Sequence, residues 1–293
     1  MTLAITIVAP WNIWQCSDFR VVHLRPRPNG QSEVTRTEDR SVKFVQLRCR
    51  DGAAHLAYSG LAMVGNDQVS DWVRRQVRGY SRTVDGTLIR IREAATAELA
   101  GLAKATGVVH AFAVGAYVQR CPWAVAITNT TGPPAFRILD RFETAAVRAD
   151  EPKVMVIGEG QNAISGEDRA LLLRVAQRRP KRPEDYSRLL ANIHHRARHS
   201  KHRARHMISE ACITSYMPPS GDGGRAQTHW DNPNPSTWPP SPPMVLDGID
   251  MTDTERVMVE MLMAAEAGQP IDDAEFKRRV DEAGLHSVEP PKP

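Results

Sequence analysis

Four stretches of this 293-residue sequence carry residue types whose spacing could do chemistry. The first is Met1-Thr2. Removal of the initiator methionine, which a small second residue normally permits, would make Thr2 terminal. A terminal threonine combines a nucleophile and a base: its hydroxyl attacks, and its own α-amine, with a reference pKa of about 7.7–8, takes the proton at neutral pH. That chemistry also needs a cation to keep the amine unprotonated, an anion to hold the cation, and a backbone N–H aimed at the developing oxyanion. The second stretch is Gly158-Glu159-Gly160-Gln161-Asn162-Ala163. It follows an apolar run and precedes a helical pattern, which fits a G-x-G-x-x-A dinucleotide turn. It also fits a plain strand-to-helix turn that needs glycine dihedrals, and no βαβ pattern surrounds it. The third is the run of histidines at 195, 199, 202 and 206, whose spacing can bind zinc. No Asp, Glu or Cys lies among them and arginines are interleaved, so the run reads as the solvated basic end of a helix, suited to the C-terminal dipole or to an anionic ligand. The fourth, Asn129-Thr130-Thr131, is a formal glycosylation acceptor that, without a secretory signal, is a loop tripeptide.

The composition narrows the classes. Hydrophobic residues make up 41% and charged residues 25%, values of a globular chain long enough to bury a full core. No apolar run approaches the roughly 18 residues of a membrane span. The apolar start lacks a basic n-region and contains Pro10 and Asn12, which argues against a signal peptide. Cys16, Cys49, Cys121 and Cys212 are widely spread, so the expectation is a cytoplasmic chain with reduced, packing cysteines. The formal charge is +4, and it falls to −1 without the five cations of residues 194–206. Such local basicity argues against a nucleic-acid partner, which would call for several basic faces with aromatics between them.

The elements that must position these residues follow from periodicity. Alternation with β-branched enrichment predicts strands over residues 2–8 and 13–24 around a Pro10-Trp11-Asn12 turn, then a polar loop over 25–41. Strands are expected at 42–47 and 54–58, and helices at 67–77 and 88–105. A hairpin is expected over 108–118 and 123–128, a strand at 153–157, helices at 165–177 and 184–199, and a last strand at 212–217. Strands that come in hairpins, with helices grouped apart, predict an α+β architecture of antiparallel sheets with helices outside them. Residues 1–217 are read as the main domain. The stretch beginning PPSGDGGRAQTHWDNPNPSTWPPSPP is read as a linker over 218–251, and 252–293 as a small helical hairpin with helices at 253–267 and 272–283. The hairpin is too small to fold alone and is expected to dock on the main domain or on a protein partner.

The segment Thr2-Leu-Ala-Ile-Thr-Ile-Val-Ala-Pro-Trp-Asn-Ile-Trp-Gln-Cys-Ser-Asp18-Phe-Arg20 resembles the opening of proteasome β-type subunits and their bacterial relatives, where a terminal threonine starts a strand and a second strand ends in Asp-x-Arg. Val42-Lys43-Phe44-Val45-Gln46-Leu47 resembles the lysine strand of that family. Ala57-Tyr58-Ser59-Gly60 resembles its glycine turn, and Ile208-Ser209-Glu210-Ala211-Cys212-Ile213-Thr214-Ser215-Tyr216 its last helix-to-strand junction. The similarity spans residues 2–217. It implies the four-layer αββα sandwich of N-terminal-nucleophile (Ntn) hydrolases and a threonine-type peptidase or amidase acting without cofactor or metal. It further implies a peptide or amide substrate and a homo-oligomer, since the family forms rings. Carried over by position, the resemblance implies Thr2 as nucleophile and base, Lys43 as the cation and Asp18 as its orienting anion. Gly60 would be the oxyanion donor, Arg20 the support of the Asp18 loop, and Ser209 a hydrogen-bond partner near the amine.

Two positions depart from the family pattern: its serine in the glycine-flanked turn is Glu159 here, and its aspartate three residues before Ser209 is His206. Both are supporting positions with altered charge. The readings that remain beside the hydrolase are a non-catalytic scaffold on the same fold, binding a partner through its tail and basic stripe, and a dinucleotide enzyme built on residues 158–163.

Overall fold

Alternating Ile and Val around a Pro-Trp turn fold the amino terminus into a hairpin of β1 (Ala4–Ala9) and β2 (Asn12–Asp18), with Ala9 facing Asn12. The computed structural model describes residues 2–26, 32–39, 41–65, 67–132, 136–221, 224–229 and 242–252, and a few isolated positions beyond. Every residue of both hairpin strands is buried, because the hairpin lies in the middle of the molecule.

The chain continues through β3 (Arg20–Pro26) and β4 (Ser32–Asp39), which among the described residues pair only with each other, and then β5 (Phe44–Cys49) and β6 (Gly52–Ser59). A two-residue pair, β7 (Met63–Val64) and β8 (Asp67–Gln68), leads into α1 (Val69–Val77), α2 (Val84–Glu98) and α3 (Ala100–Thr106). Next come β9 (Ala111–Val118), β10 (Cys121–Thr130), β11 (Ile138–Arg148) and β12 (Lys153–Ile157). A 3-10 turn at Glu159–Ala163 precedes α4 (Gly166–Ala176) and α5 (Pro183–Arg198), and a second at Arg203–Met207 precedes β13 (Cys212–Met217). The described strands end with β14 (Arg225–His229), β15 (Met244–Leu246) and β16 (Ile249–Asp250).

These strands form two large sheets, β12-β1-β2-β13-β14 and β11-β10-β9-β6-β5-β15-β16. All their pairings are antiparallel except β15 with β5. Three cores define the layers. Trp72 and Val73 of α1, Ile91 of α2 and Leu99 at the α2–α3 junction pack on Leu56, Phe112 and Val114 of the seven-stranded sheet. Leu172, Leu190 and Ile193 of α4 and α5 pack on Ile5, Ile7 and Trp14 of the five-stranded sheet. Val8, Ile13, Tyr117 and Met217 join the inner faces of the two sheets. The result is the α+β, four-layer αββα sandwich. Each fully buried large side chain, such as Trp14 or Trp72, contributes on the order of 2–3 kcal/mol by leaving water. Polar ties cross between the sheets as well: the Tyr117 hydroxyl donates to the Ala9 carbonyl at 2.7 Å, and Ser215 Oγ meets His55 Nδ1 at 3.2 Å.

Local signals explain the helix boundaries. Thr83 caps α2 by accepting from Gly86 N at 3.1 Å, and Ser165 caps α4 by accepting from Asp168 N at 3.0 Å, each worth about 1 kcal/mol. Pro183 opens α5, where its missing N–H costs nothing.

The structure departs from the sequence expectations in several places. Residues 32–39, expected within a polar loop, form β4 against β3. Their pairing rests on backbone bonds in a hairpin of its own, so no apolar stripe announces it. The edge strand β11 was also not anticipated: eight of its eleven residues are exposed, which removes the alternation. The linker stretch contributes strands to both sheets, β14 beside β13 and β15 beside β5. Val245 joins the helix-side core, and buried Asp250 pairs with Arg74 at 2.8 Å. The glycine turn of residues 158–163 follows a strand antiparallel to its neighbour β1, so the parallel βαβ unit of a dinucleotide site does not form around it. Asn129 is fully buried: its Oδ1 accepts from His110 N at 2.7 Å and its Nδ2 donates to the Val108 carbonyl at 3.3 Å. The helices expected at 253–267 and 272–283 lie, apart from isolated positions, outside the described residues.

Candidate active site

The hairpin register brings the two ends of its strands together. Ala4 faces Ser17, and one further step places Asp18 beside Leu3, whose carbonyl accepts from Asp18 N at 3.2 Å. Residues fifteen apart in sequence thereby become neighbours at one end of the five-stranded sheet. Lys43 reaches the same point from the other sheet. It stands just before β5, where its carbonyl accepts from Tyr58 N at 3.2 Å, and it is fully buried.

The three side chains meet. Lys43 Nζ donates to Thr2 Oγ1, to the carbonyl of Arg20, and to Asp18 Oδ1 at 3.0 Å. An ammonium has three N–H bonds, and each finds an acceptor here. Thr2 and Asp18 are both fully buried. The second oxygen of Asp18, Oδ2, is buried without a hydrogen-bond partner among the described residues. Burial pushes the Lys43 pKa below its ordinary value, and the adjacent Asp18 carboxylate opposes that shift without cancelling it. The geometry therefore sets a desolvated ammonium, held by a desolvated carboxylate, against a threonine hydroxyl. In such a place a cation strongly favours negative charge on the oxygen it touches.

Arg20 and Ser209 hold the Asp18 turn. Arg20 grips Asp39 of β4 with two bonds of 2.7 Å and donates through Nη1 to the His206 carbonyl at 2.9 Å. Its pKa is raised, chiefly by the hydrogen bond to Asp39. Ser209 Oγ accepts from Phe19 N at 2.9 Å and donates to the Ala211 carbonyl. The hydroxyl thus anchors the residue that follows Asp18. The His206 side chain is exposed, and its ring accepts from Arg205 at 3.3 Å, so only the backbone of His206 joins this group.

The turn after β12 closes over Thr2. Gly160 N donates to the Thr2 carbonyl at 3.0 Å. Gly158 has φ +91°, and a Cβ there would lie 2.0 Å from the same carbonyl oxygen, so no other residue fits. Glu159 stands exposed between these two glycines. Across from it, Gly60 directly follows β6 with φ +107°, packed against the Val109 carbonyl, where a Cβ would lie 2.5 Å away. Gly60, Gly158 and Glu159 all line one cavity of about 650 Å³ between the ends of the two sheets, with apolar walls from Val109, Phe112, Ala126, Val156 and Ile157. This size suits a small ligand or one to two side chains.

Sequence reasoning missed His110. It is fully buried, and its Nδ1 accepts from Leu61 N at 3.0 Å, pinning the residue after Gly60. Its ring packs on Phe112 with centroids 4.7 Å apart, and burial pushes its pKa down to about 3. A histidine inside an alternating strand gives no sign of which loop it will meet. The basic stripe at the end of α5 is partly neutralised: Arg196 pairs with Asp168 at 2.6 Å and Arg198 with Glu210.

No protein-family model matches the chain, and no curated protein does. Among solved structures, the chain is similar to the Gly-1 mutant of Anbu from Hyphomicrobium sp. strain MC1, with a TM-score of 0.46 and 12% identity over 79% of this chain and 89% of that one. It is also similar to Anbu (ancestral beta-subunit) from Yersinia bercovieri, with a TM-score of 0.48 and 10% identity over 93% of this chain and 99% of that one.

Proposed function

We propose that this protein is a threonine-type hydrolase of peptide or amide bonds, with Thr2 as its nucleophile once the peptide bond before Thr2 has been cut. The observation that carries the reading is Lys43 Nζ hydrogen-bonded at once to Thr2 Oγ1 and to Asp18 Oδ1 in a fully buried setting. In this reaction Thr2 Oγ1 forms a bond to the substrate carbonyl carbon and its proton passes to the free α-amine of Thr2. The Lys43 ammonium stabilises the alkoxide character of Oγ1 and keeps the neighbouring amine neutral by charge repulsion. Negative charge on the carbonyl oxygen is taken by the Gly60 N–H. The C–N bond then breaks, the leaving amine takes the proton from the Thr2 ammonium, and water hydrolyses the ester on Thr2 by the same steps. Asp18 holds Lys43, while Arg20 and Ser209 hold the turn that carries Asp18.

Thr2→Ala should abolish turnover of peptide-amide substrates and labelling by a threonine-directed electrophile, with the melting temperature nearly unchanged. Activity that survives this substitution rules out the nucleophile. A second reading, a non-catalytic scaffold, is favoured by the complete burial of Thr2 in the uncut chain. Intact mass separates the two: a purified protein that retains Met1 throughout has its amine blocked and supports the scaffold.

A further inference from the structure

The cavity lined by Gly60 and Gly158, which Thr2 itself does not line but whose Gly158 abuts the Thr2 carbonyl, has a chemical bias, and this inference rests on the hydrolase reading given above. Its walls are mostly apolar side chains from both sheets, and Glu159 is the one ionisable side chain among the described residues that line it. Glu159 stands between Gly158 and Gly160, which both abut the Thr2 carbonyl, so its backbone runs beside that of Thr2. The Glu159 side chain makes no hydrogen bond or ion pair with the described residues, so its charge is free for a ligand. The strand leading to it also matters. β12 is the outer strand of its sheet, and its last residues, Val156 and Ile157, line the cavity. An extended chain can therefore lie along backbone groups that pair with no described strand.

We propose that this cavity is a substrate subsite for an extended peptide that places an apolar side chain between the sheets and an adjacent cationic group, a lysine, an arginine or a free amine, against Glu159. Apolar contact supplies affinity and the carboxylate supplies selection. Because Glu159 is exposed, its attraction for a cation is modest and screened by salt. The contrast between a cationic and an acidic neighbour then comes to about threefold to tenfold in kcat/KM.

The test uses the full chain and a matched set of fluorogenic peptide amides in which a leucine is flanked by Lys, Gln or Glu. Wild type should prefer Lys over Glu by about threefold to tenfold, with the preference shrinking as salt rises. Glu159→Gln should flatten it and Glu159→Lys should reverse it. Equal rates across the set, or a Lys preference that persists in Glu159→Lys, overturn the proposal. A second measurement stands apart from turnover: fluorescence anisotropy of the labelled Leu-Lys and Leu-Glu peptides with Thr2→Ala. The same charge preference in binding supports the subsite even where no cleavage is seen, in which case the hydrolase reading alone fails. Binding without charge preference overturns the subsite while leaving the nucleophile assignment intact.

Discussion

The buried couple of Lys43 and Asp18 makes a prediction that does not depend on finding a substrate. Their side chains are 2% and 0% exposed and 3.0 Å apart. Lys43→Met removes the cation with little change of volume and leaves the Asp18 carboxylate in the core without its ammonium partner. Breaking one partner of a buried pair costs about 3–5 kcal/mol, because the survivor keeps its desolvation penalty and loses its compensation. Asp18→Asn should cost a similar amount by stranding the ammonium, eased by the two carbonyl-type and hydroxyl acceptors that Lys43 retains on Arg20 and Thr2. The double variant, neutral at both positions, removes both penalties together and should be no worse than either single one. The coupling in a double-mutant cycle should thus reach about 2 kcal/mol or more. The assay is urea unfolding of the four proteins, followed by circular dichroism, and the single variants should melt on the order of 10 °C lower than wild type. Additive losses, with a coupling inside about 0.5 kcal/mol, would falsify the claim that these two charges compensate one another in a dry site. The same variants carry a kinetic signature: Lys43→Met should lower kcat by orders of magnitude while leaving KM close to wild type, since Lys43 acts on the nucleophile.

Two further outcomes follow from other parts of the molecule. His55 and His110 are both buried with pKa values pushed down to about 3 by desolvation, so the folded state keeps them neutral while the unfolded state protonates them near 6.5. Their contribution is complete above pH 6.5 and is lost as pH falls toward 3, with a slope of up to about 1.4 kcal/mol per pH unit for each histidine. Replacing His55 with Leu should remove one proton's worth of that slope in pH-dependent unfolding, and an unchanged slope refutes the neutral assignment. The strap of β15 and β16 should be structural: a chain ending at Met217 loses Val245 from the core and Asp250 from Arg74, and should unfold at markedly lower urea than a chain ending at Thr252. Asp250→Ala in the full chain should cost about 3 kcal/mol; equal midpoints for the two truncations would remove β15 and β16 from the stable body.

Residue type alone singled out Thr2, while the other candidate residues came from the resemblance. The hairpin was legible because its alternation and its Pro-Trp turn are local, and once β1 and β2 pair in the observed register, Asp18 must come beside Leu3. The antiparallel layering was legible for the same reason, since strands joined by short turns leave no room for crossovers. Lys43 and Gly60 could be named only through resemblance, because nothing in their local sequence says that a strand end of one sheet faces the hairpin end of the other. That juxtaposition belongs to the packing of two sheets, set by side chains such as Tyr117 and Ile13 far from either residue.

Other features were decided by tertiary structure alone. The Pro- and Gly-rich stretch after Met217 has the composition of a linker, yet three residues of it, Met244–Leu246, pair with β5 because that strand offers an open edge and a core position for Val245. His206 had the right distance along the chain from Ser209 to face the site, but the 3-10 turn carries its ring outward and leaves its carbonyl for Arg20. The sequence by itself determined that Thr2 could react and that adjacent strands such as β1 and β2 could pair, since both depend on residue type and short-range order. The three-dimensional packing decided which of those atoms meet in the dry, because burial and contact between distant segments exist only once the two sheets have closed on each other.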